Sequence, residues 1–161
     1  MTTFRRLVLL LSLMFWQGGF MFYGAVVVPV GSGILQSHTT QGFVTRSVTN
    51  FLNLAGVLAV GVWLLELMMT RESRTTFARL RWLGWGLIVT TLCLQGWLHL
   101  ELDAELVPEL HQVLDRPRFQ SLHSWYLIVS TVQWALALVL LVLTLNNWQA
   151  NDRLWQRVTR S

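Results

Sequence analysis

Four apolar blocks, residues 7–30, 47–69, 80–98 and 122–145, constrain this chain more than any other feature. A helix needs about 20 mostly apolar residues to cross ~30 Å of hydrocarbon, and each block supplies them. A soluble domain has no use for four such blocks. The composition agrees, with 53% of the 161 residues hydrophobic and 12% charged, where soluble domains carry roughly 25% charged residues. The lone Cys93 sits inside a block and has no intrachain partner, which excludes a disulfide scaffold. The net charge of +4 does not mark a nucleic-acid binder, because the basic residues flank the apolar blocks, where membrane topology places them. The expected partners are membrane lipids and, beyond them, other membrane proteins or further copies of the chain. No nucleic acid is expected.

The first block begins like a secretory signal, with Arg5 and Arg6 ahead of a run from Leu7 to Trp16. However, Gln17-Gly18-Gly19-Phe20 offers no small-x-small cleavage site and the apolar run resumes to Val30, so a retained first helix is expected. Orientation follows from arginine. Arg5, Arg6, Arg71, Arg74, Arg79, Arg81, Arg153, Arg157 and Arg160, nine of the twelve, fall on one side of the four blocks. The other side holds Arg46, Arg116 and Arg118 against Glu101, Asp103, Glu105, Glu109 and Asp115. The positive-inside rule then predicts both termini in the cytoplasm. Trp82, Trp85, Trp148 and Trp155 are expected at the inner interface, and Trp97, Trp125 and Tyr126 at the outer one, as aromatic belts. Residues 148–159 suit a short helix on the membrane surface or a frayed tail.

The fold predicted is an all-α membrane protein, an antiparallel four-helix transmembrane bundle forming a single domain over residues 1–161. The turn at residues 70–79 makes the second and third helices neighbours. The two outer connections, residues 31–46 and 99–121, are longer, and the second has room for a short amphipathic helix. A bacterial inner membrane is the expected location.

Polar side chains inside the bilayer carry the most information, because an unpaired one is costly in hydrocarbon. Gln17 and Gln133 lie about ten and twelve residues from the inner ends of their blocks, or roughly 15 and 18 Å at 1.5 Å per residue. Their amides are therefore expected to meet near the midplane, directly or through one water. Gln95 adds a third amide in the third block. Small residues, Gly18, Gly19 and Gly24 in the first block and Ala55, Gly56, Ala59 and Gly61 in the second, permit close helix approach. Asn50 and Asn53 add polar groups to the outer part of the second block. Glu66 is the one acid within a block, close enough to its inner end to pair with Arg71, Arg74, Arg79 or Arg81.

All four histidines, His38, His99, His111 and His123, map to the outer side. Imidazole with carboxylate suits Zn, Cu or Fe, so His99, His111 and His123 with Glu101 and Asp103 form the candidate metal set. His99 and Asp103 have the i, i+4 spacing that shares a helical face. A b-type haem is the other cofactor considered, since His99 and His123 lie at similar depth and two facing histidines can ligate one. The alternative to either is a set of solvated or capping polar residues.

Two stretches resemble a known family. Phe15-Trp16-Gln17-Gly18-Gly19-Phe20, followed by Phe22-Tyr23 and Val28-Pro29, is similar to the first helix of a small four-helix membrane family whose eukaryotic member is transmembrane protein 205. Phe119-Gln120-Ser121-Leu122-His123-Ser124 is similar to the F-x-x-L-H stretch of that family. The resemblance implies a four-helix membrane protein, draws attention to His123 and Gln17, and brings no catalytic residue with it. The function expected is non-enzymatic: an accessory or assembly subunit, or a binder of a ligand between its helices. The alternatives are an outer-face metal or haem protein in metal handling or electron transfer, and an oligomeric transporter of small solutes past Gln17, Gln95 and Gln133.

Overall fold

The computed structural model describes residues 2–35, 38–70, 75–107 and 112–158. Four helices carry the fold: α1 at Thr2–Leu35, α2 at His38–Met69, α3 at Thr75–Ala104 and α4 at Arg116–Val158. All four are long and apolar enough to cross a membrane. A two-residue ladder, β1 at Leu106–Val107 and β2 at Gln112–Val113, pairs antiparallel between α3 and α4, with Leu106 opposite Val113.

Each helix runs well beyond its apolar block. At 1.5 Å per residue the 43 residues of α4 extend about 64 Å, twice the ~30 Å of a hydrocarbon core. Hydropathy marks the stretch that meets lipid, whereas backbone hydrogen bonding continues for as long as the helix is capped and packed. Residues 31–35 and 38–46, expected in a connection, are therefore helical. Residues 148–158 continue α4 without a break. The α4 start is set by Asp115, whose carboxylate accepts the Arg118 amide at 3.0 Å, with Pro117 in the first turn.

The helix α1 is not a uniform α-helix. Met14–Gly18 and Tyr23–Val27 are wider π turns, each taking one extra residue into a turn and rotating the side chains that follow. Such turns recur at functional positions in helices. Here the first carries Trp16 and Gln17 and the second carries Tyr23 and Gly24.

Packing follows the chain. α1 lies chiefly on α2, α2 on α3, and α3 most extensively on α4. The main core lies in the half of the bundle nearest the arginine-rich end and is built on Leu9, Trp63, Ile88 and Leu140, all with no exposed surface. Ala55 and Ala59 are buried in α2 as their small size allows, and the indole of Trp16 lies where a Cβ on Gly56 would stand, 2.7 Å from its Nε1. Among the described residues Gly18, Gly24 and Gly61 have no neighbour at the Cβ position, so the close approach rests on Gly56 and on Gly19, whose Cβ would stand 3.2 Å from Leu52 Cδ2. Among the aromatic residues assigned to the interfaces, Trp82, Trp97, Trp125 and Trp155 are exposed, but Trp85 is half-buried with its indole N–H donating to the Val60 carbonyl at 3.1 Å, and Trp148 and Tyr126 are buried and hydrogen-bonded to other helices.

Candidate functional site

The two ends of the bundle are built differently. At the arginine-rich end, Glu66 is fully buried and bound from three sides. Arg5 forms an ion pair with it at 2.5 Å, the Trp148 indole N–H donates to Oε1 at 2.6 Å, and the Thr70 hydroxyl donates to the same oxygen at 2.6 Å. Arg5 also donates to Thr70 Oγ1 at 3.1 Å. Arg6 adds a two-pronged pair to Asp152 at 2.8 and 2.7 Å and lies over the Trp148 ring, 5.1 Å from its centroid. Arg81, in the first two turns of α3, is fully buried as well. These contacts draw the start of α1, the end of α2 and the far part of α4 into one clamp. Glu66 thus finds its ion-pair partner in Arg5, outside the set suggested by nearness in sequence; of that set, Arg71 and Arg74 lie outside the described residues.

Halfway along the bundle, Trp16, Gln17, Phe20, Asn53, Gln95, Ser130 and Gln133 surround a void with no water-sized space. Gln17 and Gln133 do reach the same spot, but the hydrogen bonds run through other helices. Gln133 Nε2 donates to Thr91 Oγ1 at 3.3 Å, and Gln95 Nε2 donates to Ser130 Oγ at 2.7 Å. Ser130 in turn donates to the Tyr126 carbonyl at 2.7 Å, and the Tyr126 hydroxyl donates to Asn53 at 3.1 Å. The midplane polar groups therefore mostly satisfy one another, as helix-to-helix hydrogen bonds do in lipid.

At the acidic end the bundle is hollow. A partly open cavity of about 440 Å³ lies between all four helices, within the range of pockets that hold small organic ligands. Its polar wall comes from α2 and α3. Arg46 Nε pairs with Asp103 Oδ1 at 2.8 Å, and His99 Nε2 stands 3.7 Å from Asp103 Oδ2, too far for a hydrogen bond. Opposite, the Tyr23 hydroxyl donates to Thr45 Oγ1 at 3.1 Å and Thr45 donates to the Gln41 carbonyl at 2.9 Å. Phe119 and His123 close the α4 side, their rings parallel within 2° and 6.3 Å apart.

Two polar atoms of this wall have no hydrogen-bond partner among the described residues: His99 Nε2 and Gln41 Nε2. Both residues are buried, His99 with 8% and Gln41 with 5% of its surface exposed. A buried polar group without a partner costs free energy.

Of the candidate metal set, His99, Asp103 and His123 wall the cavity. Glu101 does not; it pairs with Arg118 at 2.8 Å, which also reaches Glu105 at 3.1 Å. His111 lies outside the described residues. Among the described residues no three His, Cys, Asp or Glu side chains gather as metal ligands. Asp103, the carboxylate nearest His99, is engaged by Arg46. The sequence reading identified His99, Asp103 and His123 but gave no role in a site to Gln41, Arg46, Thr49 or Tyr23. Gln41 and Arg46 belong to the continuation of α2 past its apolar block, Thr49 to the first turn of that block, and Tyr23 to a π turn. A polar residue at every third or fourth position, Gln41, Thr45 and Thr49, is the signal that one helical face there is lined for contact.

Comparison with family models, with curated proteins and with solved structures finds no match to this chain.

Proposed function

We propose that the chain is a non-enzymatic multi-pass membrane protein that binds a small ligand between its helices, in the cavity at the acidic end. The observation that carries this is a 440 Å³ cavity between the four helices, two of whose lining residues, His99 and Gln41, each hold a buried nitrogen with no hydrogen-bond partner among the described residues. A space of that size in a folded core is a standing loss of packing contacts unless something fills it. The clamp at the other end fixes α1 against α4 there, while at this end both helices wall the cavity.

The test is to fill the cavity from within. Thr49 is buried in its wall, and Thr49→Trp puts an indole into the space. The total lipid extract of the expression host, added to protein purified in mild detergent, is expected to raise the Tm of the wild type, because a ligand that binds only the folded state stabilises it by mass action. Thr49→Trp is expected to show little of that rise. Equal shifts for both proteins contradict the reading.

On this proposal the bundle is antiparallel, sits in a bacterial inner membrane and has both termini in the cytoplasm, so the cavity lies in the outer half. Nine of twelve arginines at one end support the orientation. In a Cys93→Ser background, Ser121→Cys is expected to react with a membrane-impermeant maleimide on intact cells, and Asn151→Cys only after lysis. The opposite pattern contradicts the orientation.

A further inference from the structure

We propose that the ligand of this cavity is a neutral, ring-bearing lipid of the quinone and quinol class, its head among His99, Gln41 and the aromatic wall and its tail leaving between α1 and α4. This rests on the binding function proposed above and names the chemistry of what is bound.

Charge decides the first part. Among the described residues of the cavity wall, the two full charges, Arg46 and Asp103, neutralise each other at 2.8 Å. An anionic headgroup can engage Arg46 only by taking it from Asp103, which leaves a carboxylate unpaired beside the new anion. A cationic head meets the same obstacle at Asp103, already held by Arg46. The groups left for a ligand are the Gln41 amide nitrogen, a donor, and His99 Nε2. An imidazole nitrogen donates or accepts according to its protonation and tautomer. A carbonyl oxygen fits both groups, and a hydroxyl fits His99 equally, so the oxidised and reduced forms of one ring are matched by the same pair.

Shape decides the second part. Tyr23, Phe119, His123 and Tyr126 put flat rings around the space, and aromatic faces favour a flat ring offset or edge-on against them. The remaining wall includes Val28, Leu52, Leu102 and Leu127, which suits the first carbons of an alkyl tail. The two walls contributed by α1 and α4 belong to helices that pack chiefly on other neighbours, α1 on α2 and α4 on α3. The gap between them is the way to the lipid.

The experiment uses the full chain in nanodiscs of zwitterionic lipid, titrated with a decyl-tailed benzoquinone and with its reduced form, and read by native mass spectrometry and by thermal shift. Saturable one-to-one binding of both forms is expected. His99→Leu and Gln41→Leu are each expected to weaken it about tenfold, the loss of one hydrogen bond in a dry site. His99→Asn, which keeps a donor and an acceptor, is expected to fold as the wild type does and to retain more affinity than His99→Leu. Decyl phosphate and decyltrimethylammonium are expected not to compete. Competition by either, or quinone binding unchanged in both leucine variants, overturns the assignment. If neither quinone form binds while the lipid extract still stabilises the wild type and not Thr49→Trp, the quinone assignment fails and the cavity reading survives. If the extract stabilises neither protein and no quinone binds, both fail.

Discussion

Replacing Glu66 by alanine is expected to destabilise the protein by about 3–5 kcal/mol, the cost of removing one partner from a buried ion pair. Glu66 has no exposed surface and accepts two short hydrogen bonds while pairing with Arg5. Its loss leaves the Trp148 N–H without its acceptor and the Arg5 charge without its counter-ion. Residues from α1, α2 and α4 lose their common centre together. Thermal unfolding in detergent checks this. The Glu66→Ala, Arg5→Ala double variant is expected to be more stable than Glu66→Ala alone, because removing both charges leaves neither unpaired. A double variant that loses the sum of the two single losses contradicts the clamp.

Trp63→Ala is expected to cost about 3 kcal/mol. The side chain is fully buried among Leu9, Ala59, Ile88 and Leu140, and its indole N–H donates to Thr144 Oγ1 at 3.2 Å. Truncating a buried Trp costs about 3–5 kcal/mol in soluble cores. The lower end applies here because helices that separate in lipid keep their apolar surface in hydrocarbon, which leaves the cavity and packing terms. Thr144 is not orphaned, since its hydroxyl still donates to the Leu140 carbonyl at 2.8 Å. Denaturation in mixed micelles measures the difference, and a loss below about 1 kcal/mol, the size of one net hydrogen bond, contradicts the view that this half of the bundle is tightly packed.

The number of helices and their central residues were legible in the sequence because lipid imposes a length of about 20 apolar residues on each crossing. The helix ends were not, because hydropathy stops reporting once a helix leaves hydrocarbon, and Asp115 capping α4 is a signal of a different kind. Glu66 was legible as a group needing a partner, since an acid in that place needs one whatever the fold. That the partner is Arg5 was not, because nearness in sequence favours the turn after α2 while the bundle brings the start of α1 to the same place. Depth arithmetic brought Gln17 and Gln133 to one level, and they line one void. It says nothing of rotation about the helix axis, which the first π turn alters for Gln17 and which hands the Gln133 amide to Thr91. The pairing of His99 with Asp103 on one face followed from their spacing, and the cavity beside them did not, because its other wall is a polar stretch of α2 that reads as a connection.

The measurement that bears most directly on the central claim is the intact mass of the protein released from native membranes without delipidating wash, wild type beside Thr49→Trp. The wild type is expected to carry one discrete small-molecule adduct per chain, lost on activation in the gas phase, and Thr49→Trp is expected to appear at its bare mass. A wild type that appears only at bare mass, or a Thr49→Trp variant that carries the same adduct in the same proportion, contradicts a ligand held in the cavity between the four helices.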